Sequence, residues 1–417
     1  MLRRPIVLAV VLASVAGGAA AQPSPAVQPP PPPAAVVPAP QGVQVTTLAA
    51  PDAFTTPGRA TGLPPSLWAG ASLKTVRAVL PLLAARPLTP AGAQLARRVL
   101  ATGAQGPEGA SEDPALAAGR ANALLMQGDA RAAATVLAHA PGADRNPDLA
   151  RAVAEAALLA GDDAGACRAA QALTEGRDEA YWLRLRAYCQ MLAGQADQAQ
   201  LTFDLAQAQA KDPVFARLMG AKLAGAGNPG AASLRNGLDY ALSKSLGLDL
   251  AAAKPAPAVA AALGGSDPVP LTLDPASVAA DLRPLAQYIA GDTSVRYGDF
   301  MAAMNLMSDA AARPRMQATA LIYFALQGPL PPPTRGEIAA YSIPEGKAPV
   351  GRSLALDMAA QQKLMGEAAM LSLWIMADAG PGGLAIGDRV RIVRALHLAG
   401  LDADARAIAF EGLVALK

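Results

Sequence analysis

The side chains able to carry covalent or metal chemistry are few in this chain of 417 residues. Its two cysteines are Cys167 and Cys189, and its two histidines are His139 and His397. No zinc-ligand spacing can be built from these four residues. The sequence also has no G-x-S-x-G elbow, phosphate-binding loop or strand-linked G-x-G-x-x-G motif. We therefore expect no catalytic residue, metal site or cofactor.

Carboxylates are the remaining candidates for acid–base chemistry. Glu337 and Glu345 lie in the proline-rich loop region, where they could face a cleft, and would be the residues to test in an enzyme acting on cell-wall polymers. A lone carboxylate in a loop is usually only solvated, because perturbed, functional carboxylates come with charged or apolar neighbours. An envelope enzyme with a helical support stays as the alternative function.

The N-terminus has the three parts of a secretory signal. Arg3 and Arg4 precede an apolar run from Ile6 to Val15, and Ala19–Ala21 offer a small-residue cleavage site before Gln22. An uncleaved anchor helix is the alternative, although the apolar stretch from Pro5 to Ala21 is shorter than the roughly 20 residues that span a bilayer and holds two glycines. We expect an exported bacterial protein of the periplasm or cell surface, without a transmembrane helix after cleavage.

Charge and composition argue against nucleic acid as a partner. Loss of the signal removes two arginines, so Lys+Arg falls from 35 to 33 and equals the 33 acidic residues. A near-neutral chain without a basic stripe lacks the surplus that phosphate binding requires. Hydrophobic residues make up 52% and aromatic residues only 4%. Much of the apolar fraction is alanine, which favours helices that approach one another closely.

A local helix-start signal recurs along the chain. In it, a residue with a capping oxygen is followed at once by proline, which suits the first position of a helix. The pairs begin at Thr89, Asp113, Asn146, Asp212, Asn228 and Asp274. Since no stretch alternates convincingly between apolar and polar residues, the sequence predicts an all-α fold.

Four glycines, Gly128, Gly161, Gly194 and Gly227, lie 33 residues apart, and such a period indicates stacked helical units. A small residue precedes each glycine by seven positions (Ala121, Ala154, Ala187, Gly220), and alanine follows by five (Ala133, Ala166, Ala199, Ala232). The glycine would end one helix in a left-handed conformation, and Asp129, Asp162 and Asn228 would cap the next. The small residues would let the two helices pack closely.

This pattern resembles the tetratricopeptide repeat. The third unit matches best, with Gly194-Gln195-Ala196 at the turn, then Ala199, Phe203 and Ala206, and Pro213 opening the next unit. The units are 33 residues long, whereas about 34 is usual in that family. Ala157 and Gln190 replace an expected aromatic residue, and the fourth unit loses the pattern after Ala232. The resemblance implies a solenoid whose first helices line a concave groove.

The two cysteines fall on either side of a turn near Gly176, in the second helix of one unit and the first helix of the next. Antiparallel helices would hold them at comparable height, so an exported chain favours a disulfide between Cys167 and Cys189. Two buried thiols acting as small apolar side chains are the alternative. A redox role is disfavoured because the chain has no C-x-x-C pair.

The groove face is the candidate partner-binding surface. In the third unit, Trp182, Leu185, Cys189 and Leu192 form the expected core stripe, and the neighbouring stripe would face the groove. The candidate groove residues are Asn122, Arg151, Glu155, Tyr181, Arg184 and Tyr188. Tyrosine and arginine are enriched at protein interfaces. The alternative is a solvated helix face with extended arginine side chains.

Together these features predict six segments and a function. The segments are a signal peptide (1–21), a Pro/Ala-rich linker (22–62), an N-terminal helical cap (63–113), the repeats (114–246), an Ala/Pro/Gly-rich connector (247–273) and a C-terminal helical domain (274–417). The longest helix of the last segment is expected at 354–379. We expect a non-enzymatic scaffold that binds an envelope protein or peptide, with a purely structural spacer as a further alternative.

Overall fold

The computed structural model describes residues 52–113, 115–140, 142–225, 229–263, 271–292, 294 and 313–416. The predicted signal peptide and most of the linker lie outside these ranges, as do Pro114, Gly227 and Asn228. Every regular element in the described ranges is helical, and none of their residues forms a strand. The predicted all-α class is confirmed.

Eighteen α-helices account for the regular structure of these ranges. In chain order they are α1 Leu73–Ala85, α2 Pro90–Ala101, α3 Ala115–Met126, α4 Ala130–Ala138, α5 Pro147–Ala160, α6 Asp163–Ala172, α7 Ala180–Leu192, α8 Ala196–Gln209, α9 Pro213–Ala224, α10 Gly237–Ser245, α11 Pro257–Leu263, α12 Arg283–Ile289, α13 Arg313–Ala325, α14 Pro332–Ala339, α15 Val350–Gln361, α16 Met365–Ala379, α17 Ile386–Leu398 and α18 Asp402–Ala415. Short 3₁₀ turns occupy Ala110–Glu112, Pro275–Ser277, Ala280–Leu282 and Gly380–Gly382. Among the described residues no helix is both long and apolar enough to span a bilayer.

Capping oxygens followed by proline begin helices at three of the expected places. Asn146 accepts the N–H of Leu149 at 3.1 Å at the start of α5, and Asp212 accepts that of Phe215 at 3.1 Å at the start of α9. Thr89 precedes Pro90 at the start of α2, although its side chain makes no capping bond. Asp274 opens only the 3₁₀ turn Pro275–Ser277, so the signal does not by itself specify an α-helix.

Three consecutive helix pairs follow the 33-residue spacing, and we call them unit 1 (115–138), unit 2 (147–172) and unit 3 (180–209). Gly128, Gly161 and Gly194 turn each pair with φ of 82°, 78° and 74°, which is the left-handed region that glycine adopts without strain. Asp129 and Asp162 cap the second helices, as expected. The flanking small residues of units 1–3 are all buried between the helices: Ala121, Ala133, Ala154, Ala166, Ala187 and Ala199.

After α9 the chain does not continue as a fourth pair in the described residues. α10 packs against α9 and also against α5 of unit 2, while α11 packs against α3 and α5. The chain therefore folds back onto the first helices of units 1 and 2. This return coincides with the point where the sequence pattern is lost, after Ala232. It also places a helix, α11, inside the stretch interpreted as a connector.

The first described helices pack against the last ones. α1 contacts α16, and α2 contacts both α16 and α18. Glu367 of α16 accepts the backbone N–H of Ser72 and the hydroxyl of Thr75, both at 2.8 Å. Arg98 of α2 pairs with the buried carboxylate of Asp404 in α18. Helices from both ends of the described chain thus share one core.

The prediction of one long helix at 354–379 is wrong, because α15 ends at Gln361 and α16 begins at Met365. Lys363 between them has φ of 56°, and the N–H of Leu364 bonds to the carbonyl of Ala359 at 2.9 Å. This is the hydrogen bond that closes a Schellman turn, which usually carries glycine at the left-handed position. With lysine there instead, the sequence gives no sign of the break.

Cys167 in α6 and Cys189 in α7 form a disulfide, with their Cα atoms 5.6 Å apart. The bond joins units 2 and 3, and the predicted pairing of the two thiols is confirmed. Neither cysteine is fully buried, so the alternative of two core thiols does not apply.

We expect Cys167→Ala with Cys189→Ala to lower the free energy of unfolding by about 3 kcal/mol, because a loop of this length is then unconstrained in the unfolded chain. Urea unfolding followed by circular dichroism measures the change. The reduced wild-type protein is the matched control and should unfold with the double variant. A wild-type protein that unfolds identically with and without reductant would contradict the stabilising role.

Candidate functional site

Three of the six candidate groove residues line one cavity. Asn122 of α3 and Arg151 and Glu155 of α5 surround a space of about 320 Å³. Its opposite wall comes from the segment that folds back, through Arg235, Asn236 and Gly237 before and at the start of α10 and through Val259 of α11. We call this space the α3/α5 cavity. It lies on the face where the sequence placed the groove.

Helical spacing brings the two α5 residues to this face. Arg151 and Glu155 are four positions apart, so their side chains lie one above the other. The opposite side of α5 is apolar, with Leu149, Val153 and Ala156 in the core. That burial fixes the rotation of the helix and leaves Arg151 exposed at the cavity. Asn122 on α3 is also exposed.

Tyr181 connects unit 3 to this cavity. The guanidinium of Arg151 stacks over the Tyr181 ring at 4.5 Å from its centroid, and Trp182 meets the same ring edge-on at 5.1 Å. The buried Tyr181 hydroxyl lies beside the Glu155 carboxylate, and burial together with that negative charge raises the pKa of Tyr181 well above its ordinary value. Tyr181 thus stays protonated and contacts two residues that line the cavity, Arg151 and Glu155.

Glu155 holds the returning segment in place. Its Oε2 accepts the backbone N–H of Gly237 at 2.5 Å, which also satisfies a free donor at the start of α10. Burial is the main influence on this carboxyl and raises its pKa, while the Gly237 N–H and the Tyr181 hydroxyl act in the opposite direction. The raised pKa means that ionised Glu155 is held at a cost in folding free energy.

Gly237 allows the close contact between α10 and α5. A Cβ at this position would lie 2.9 Å from the backbone oxygen of Glu155, closer than real Cβ atoms approach. The absence of a side chain therefore decides how near the two helices can come. Position 237 is the point where the chain needs glycine in order to reach the face of unit 2.

Arg184 belongs to a separate polar cluster at the junction of α7, α9 and α10. It pairs with Asp212 at 3.4 Å and donates to the carbonyl of Ala210 at 2.9 Å. Arg235 bridges Asp212 at 3.0 Å and Asp239 at 2.6 Å. Burial alone would raise the pKa of Asp212, but the Phe215 N–H and Arg235 bring it below its ordinary value. Arg184 therefore orders the chain around α9 instead of facing an open groove.

Tyr188 lies in the core and not on an exposed stripe. Its side chain is fully buried, and its hydroxyl lies beside Asp163 of α6. Trp182 and Leu185 are buried as expected for the core stripe, whereas Leu192 is exposed. At the end of α7 the buried face of the helix therefore includes Tyr188 and not Leu192. The cause is that α6 packs against α7 and that the Tyr188 hydroxyl lies near both Asp163 of α6 and Ser245 of α10.

The α3/α5 cavity offers hydrogen bonding of several kinds. Its lining combines two guanidinium groups, two side-chain amides and two carboxylates with apolar residues such as Leu125 and Leu159. Such a mixture of groups suits the binding of a peptide or a polar ligand better than the binding of an extended apolar surface. Among the described residues no group of three His, Cys, Asp or Glu side chains could hold a metal ion.

Neither Glu337 nor Glu345 lines the α3/α5 cavity. Glu337 is exposed on α14. Glu345 lies at a different cavity, of about 550 Å³, together with Arg391, Arg394 and Leu398 of α17. Glu337 does not line the cavity that Glu345 borders.

Sequence analysis did not predict that residues 235–259 contribute to the α3/α5 cavity. Asn236 caps α10 by accepting the N–H of Asp239 at 2.8 Å, and this Asn-x-x-Asp start was visible in the sequence. Its neighbour in space, unit 2, is distant in sequence and could not be inferred from a local pattern.

Comparison with known proteins does not extend this description, since no protein family, curated protein sequence or solved structure matches the chain.

We expect Gly237→Ala to destabilise the protein by about 1–3 kcal/mol, because the added methyl overpacks the α5–α10 contact. Gly220→Ala in α9 is the matched control, since nothing lies within 4 Å of a Cβ at position 220. There the change should stabilise by about 0.5–1 kcal/mol. Urea unfolding measures both variants. Equal effects of the two substitutions would show that space at position 237 is not limiting.

We expect Glu155→Gln to gain stability relative to wild type as the pH rises. The folded pKa of Glu155 is raised above the ordinary 4.5, so the folded wild type binds more protons than the unfolded chain just above that pH and loses stability as pH increases. Glutamine cannot titrate, yet its oxygen can still accept the Gly237 N–H. Unfolding free energies of both proteins from about pH 4 to 8 test this. A difference that stays constant with pH would exclude a raised pKa.

Proposed function

We propose that the protein is an exported, non-enzymatic scaffold of the bacterial cell envelope, built on a tetratricopeptide-type solenoid, that binds a partner protein or peptide. The 33-residue spacing, the left-handed turn glycines and the buried alanines of units 1–3 support the solenoid. The disulfide between Cys167 and Cys189 fits an oxidising compartment, where such bonds persist.

The observation that carries the binding proposal is the α3/α5 cavity. Exposed Arg151 and Asn122 come from the first helices of two successive units and converge on one opening with Asn236. Arginine and amide side chains can satisfy the carbonyl and N–H groups of a peptide backbone. Stacking on Tyr181 limits the freedom of the Arg151 guanidinium, so less entropy is lost when it binds.

The proposed binding surface contains fewer than the six residues that the sequence suggested for the groove. Tyr181, Arg184 and Tyr188 serve contacts within the chain, and α10 and α11 cover part of the face of α5. A partner would therefore contact Asn122 and Arg151 directly, while Tyr181 would position Arg151 by stacking and Glu155 by its charge.

Affinity capture from the envelope fraction, with the wild-type chain as bait, tests the proposal. We expect one partner to be enriched, and Asn122→Ala with Arg151→Ala to reduce its capture at least tenfold because both direct contacts are removed. Arg145→Ala is the matched control, since Arg145 is an exposed arginine in the turn before α5 and does not line the cavity. Undiminished capture by the double variant would exclude this site.

A further inference from the structure

Two helices far apart in sequence expose apolar side chains to solvent. On α8, Leu201 and Leu205 are 64% and 53% exposed. On α15, Val350, Leu354 and Met358 are 79%, 59% and 50% exposed. Isolated exposed apolar residues are ordinary, but aligned sets on one helix face indicate an interaction surface. None of these residues lines the α3/α5 cavity.

The α8 face differs from its counterparts in units 1 and 2. Leu201 lies 33 residues after Arg168, which lies 33 after Thr135, and Leu205 follows Ala172 and His139 at the same spacing. The first two units thus carry Thr and His, then Arg and Ala, at the positions where unit 3 carries two leucines. Stacked repeats need a polar outer face wherever no neighbour covers them. Unit 3 is the unit that departs from this rule.

The structure shows why the α8 face is uncovered. α8 packs against α7 and α9, and after α9 the chain turns back so that α10 lies against α5. No described helix therefore takes the place of a second helix in a fourth unit. Only Ala199 and Ala206 of α8 are fully buried, and Leu201 and Leu205 lie on its exposed side.

The α15 face is a regular stripe. Val350, Leu354 and Met358 are spaced by four residues and lie on one side of the helix. The other side, with Ser353, Leu356 and Ala360, is buried against α16 and α17. The charged side chains of α15 pair with neighbouring helices and lie beside the exposed stripe. Arg352 pairs with Asp378 of α16, and Asp357 pairs with Arg391 of α17.

The two faces carry opposite charge at their margins. α8 contains Asp197 and Asp204, both exposed, and no lysine or arginine. Exposed Lys347 and Lys363 flank the two ends of α15. Pairing α8 with α8 would oppose carboxylates, and an antiparallel pair of α15 helices would bring Lys347 of one copy near Lys363 of the other. Like charges so placed disfavour both symmetric contacts.

We propose that α8 of one molecule docks on α15 of a second copy of this chain. The helices are about 21 and 18 Å long at 1.5 Å per residue, so one can cover the other along its length. The leucines of α8 pack on the Val350–Leu354–Met358 stripe, and Asp197 at the start of α8 lies near the lysine at the adjacent end of α15. Because the contact joins different surfaces, it is heterologous and continues from copy to copy as a ring or a filament.

Sedimentation velocity of the purified chain over a series of concentrations tests this assembly. We expect the wild-type mass to grow with concentration. Leu201→Arg with Leu205→Ala places the residues of unit 2 on α8 and should give a monomer. Val350→Glu with Leu354→Glu opposes acid to acid and should also give a monomer. Val414→Glu, at an exposed apolar position on α18, is the matched control and should assemble like wild type.

Mixing the two monomeric variants supplies the decisive result. One variant keeps an intact α15 face and the other an intact α8 face, so an equimolar mixture should form a dimer and nothing larger. Circular dichroism establishes that each variant is folded. A wild type that stays monomeric, a variant that still associates by itself, or a mixture that does not dimerise would each overturn the proposal.

Discussion

Close approach of helices through alanine and glycine is the constraint on which this structure depends. A core with few aromatic residues gains little area from each side chain, so its helices must come near one another to exclude water. At the three described turns, buried alanines on both helices meet beside a left-handed glycine. The same device recurs where Gly366 of α16 approaches the backbone of Leu67. A bulkier residue at such a place moves a whole helix.

The return of the chain after α9 follows from this constraint. α10 can lie against α5 because position 237 has no side chain, and the carboxylate of Glu155 then receives the free N–H at its start. The polar residues around this contact are organised by ion pairs, with Asp212 bound to both Arg184 and Arg235. One contact between distant segments thus shapes the cavity on one side and leaves α8 uncovered on the other.

Local features were predictable from the sequence, and long-range ones were not. The turn glycines, the caps at Asn146 and Asp212, and the pairing of Cys167 with Cys189 depend on residues close together in the chain. The burial of Tyr188 depends on α10, which no periodicity connects to α7. The break at Lys363 escaped prediction because lysine replaces the usual glycine. Of the candidate groove residues, Asn122, Arg151 and Glu155 lie together because one repeat register positions them all.

Contacts between the two ends of the described chain have a consequence for the order of folding. Units 1–3 are stabilised by neighbours in sequence, so they can form as soon as they emerge during synthesis. α1 and α2 emerge earlier still, yet Ser72 and Thr75 bond to Glu367, which lies 295 and 292 residues later. The first helices can pack on unit 1, since α1 contacts α3 and α2 contacts both α3 and α4, but the surface that they share with α16 and α18 stays uncovered until those helices have formed. The contact between the two ends of the described chain therefore closes last, after the units between them have formed.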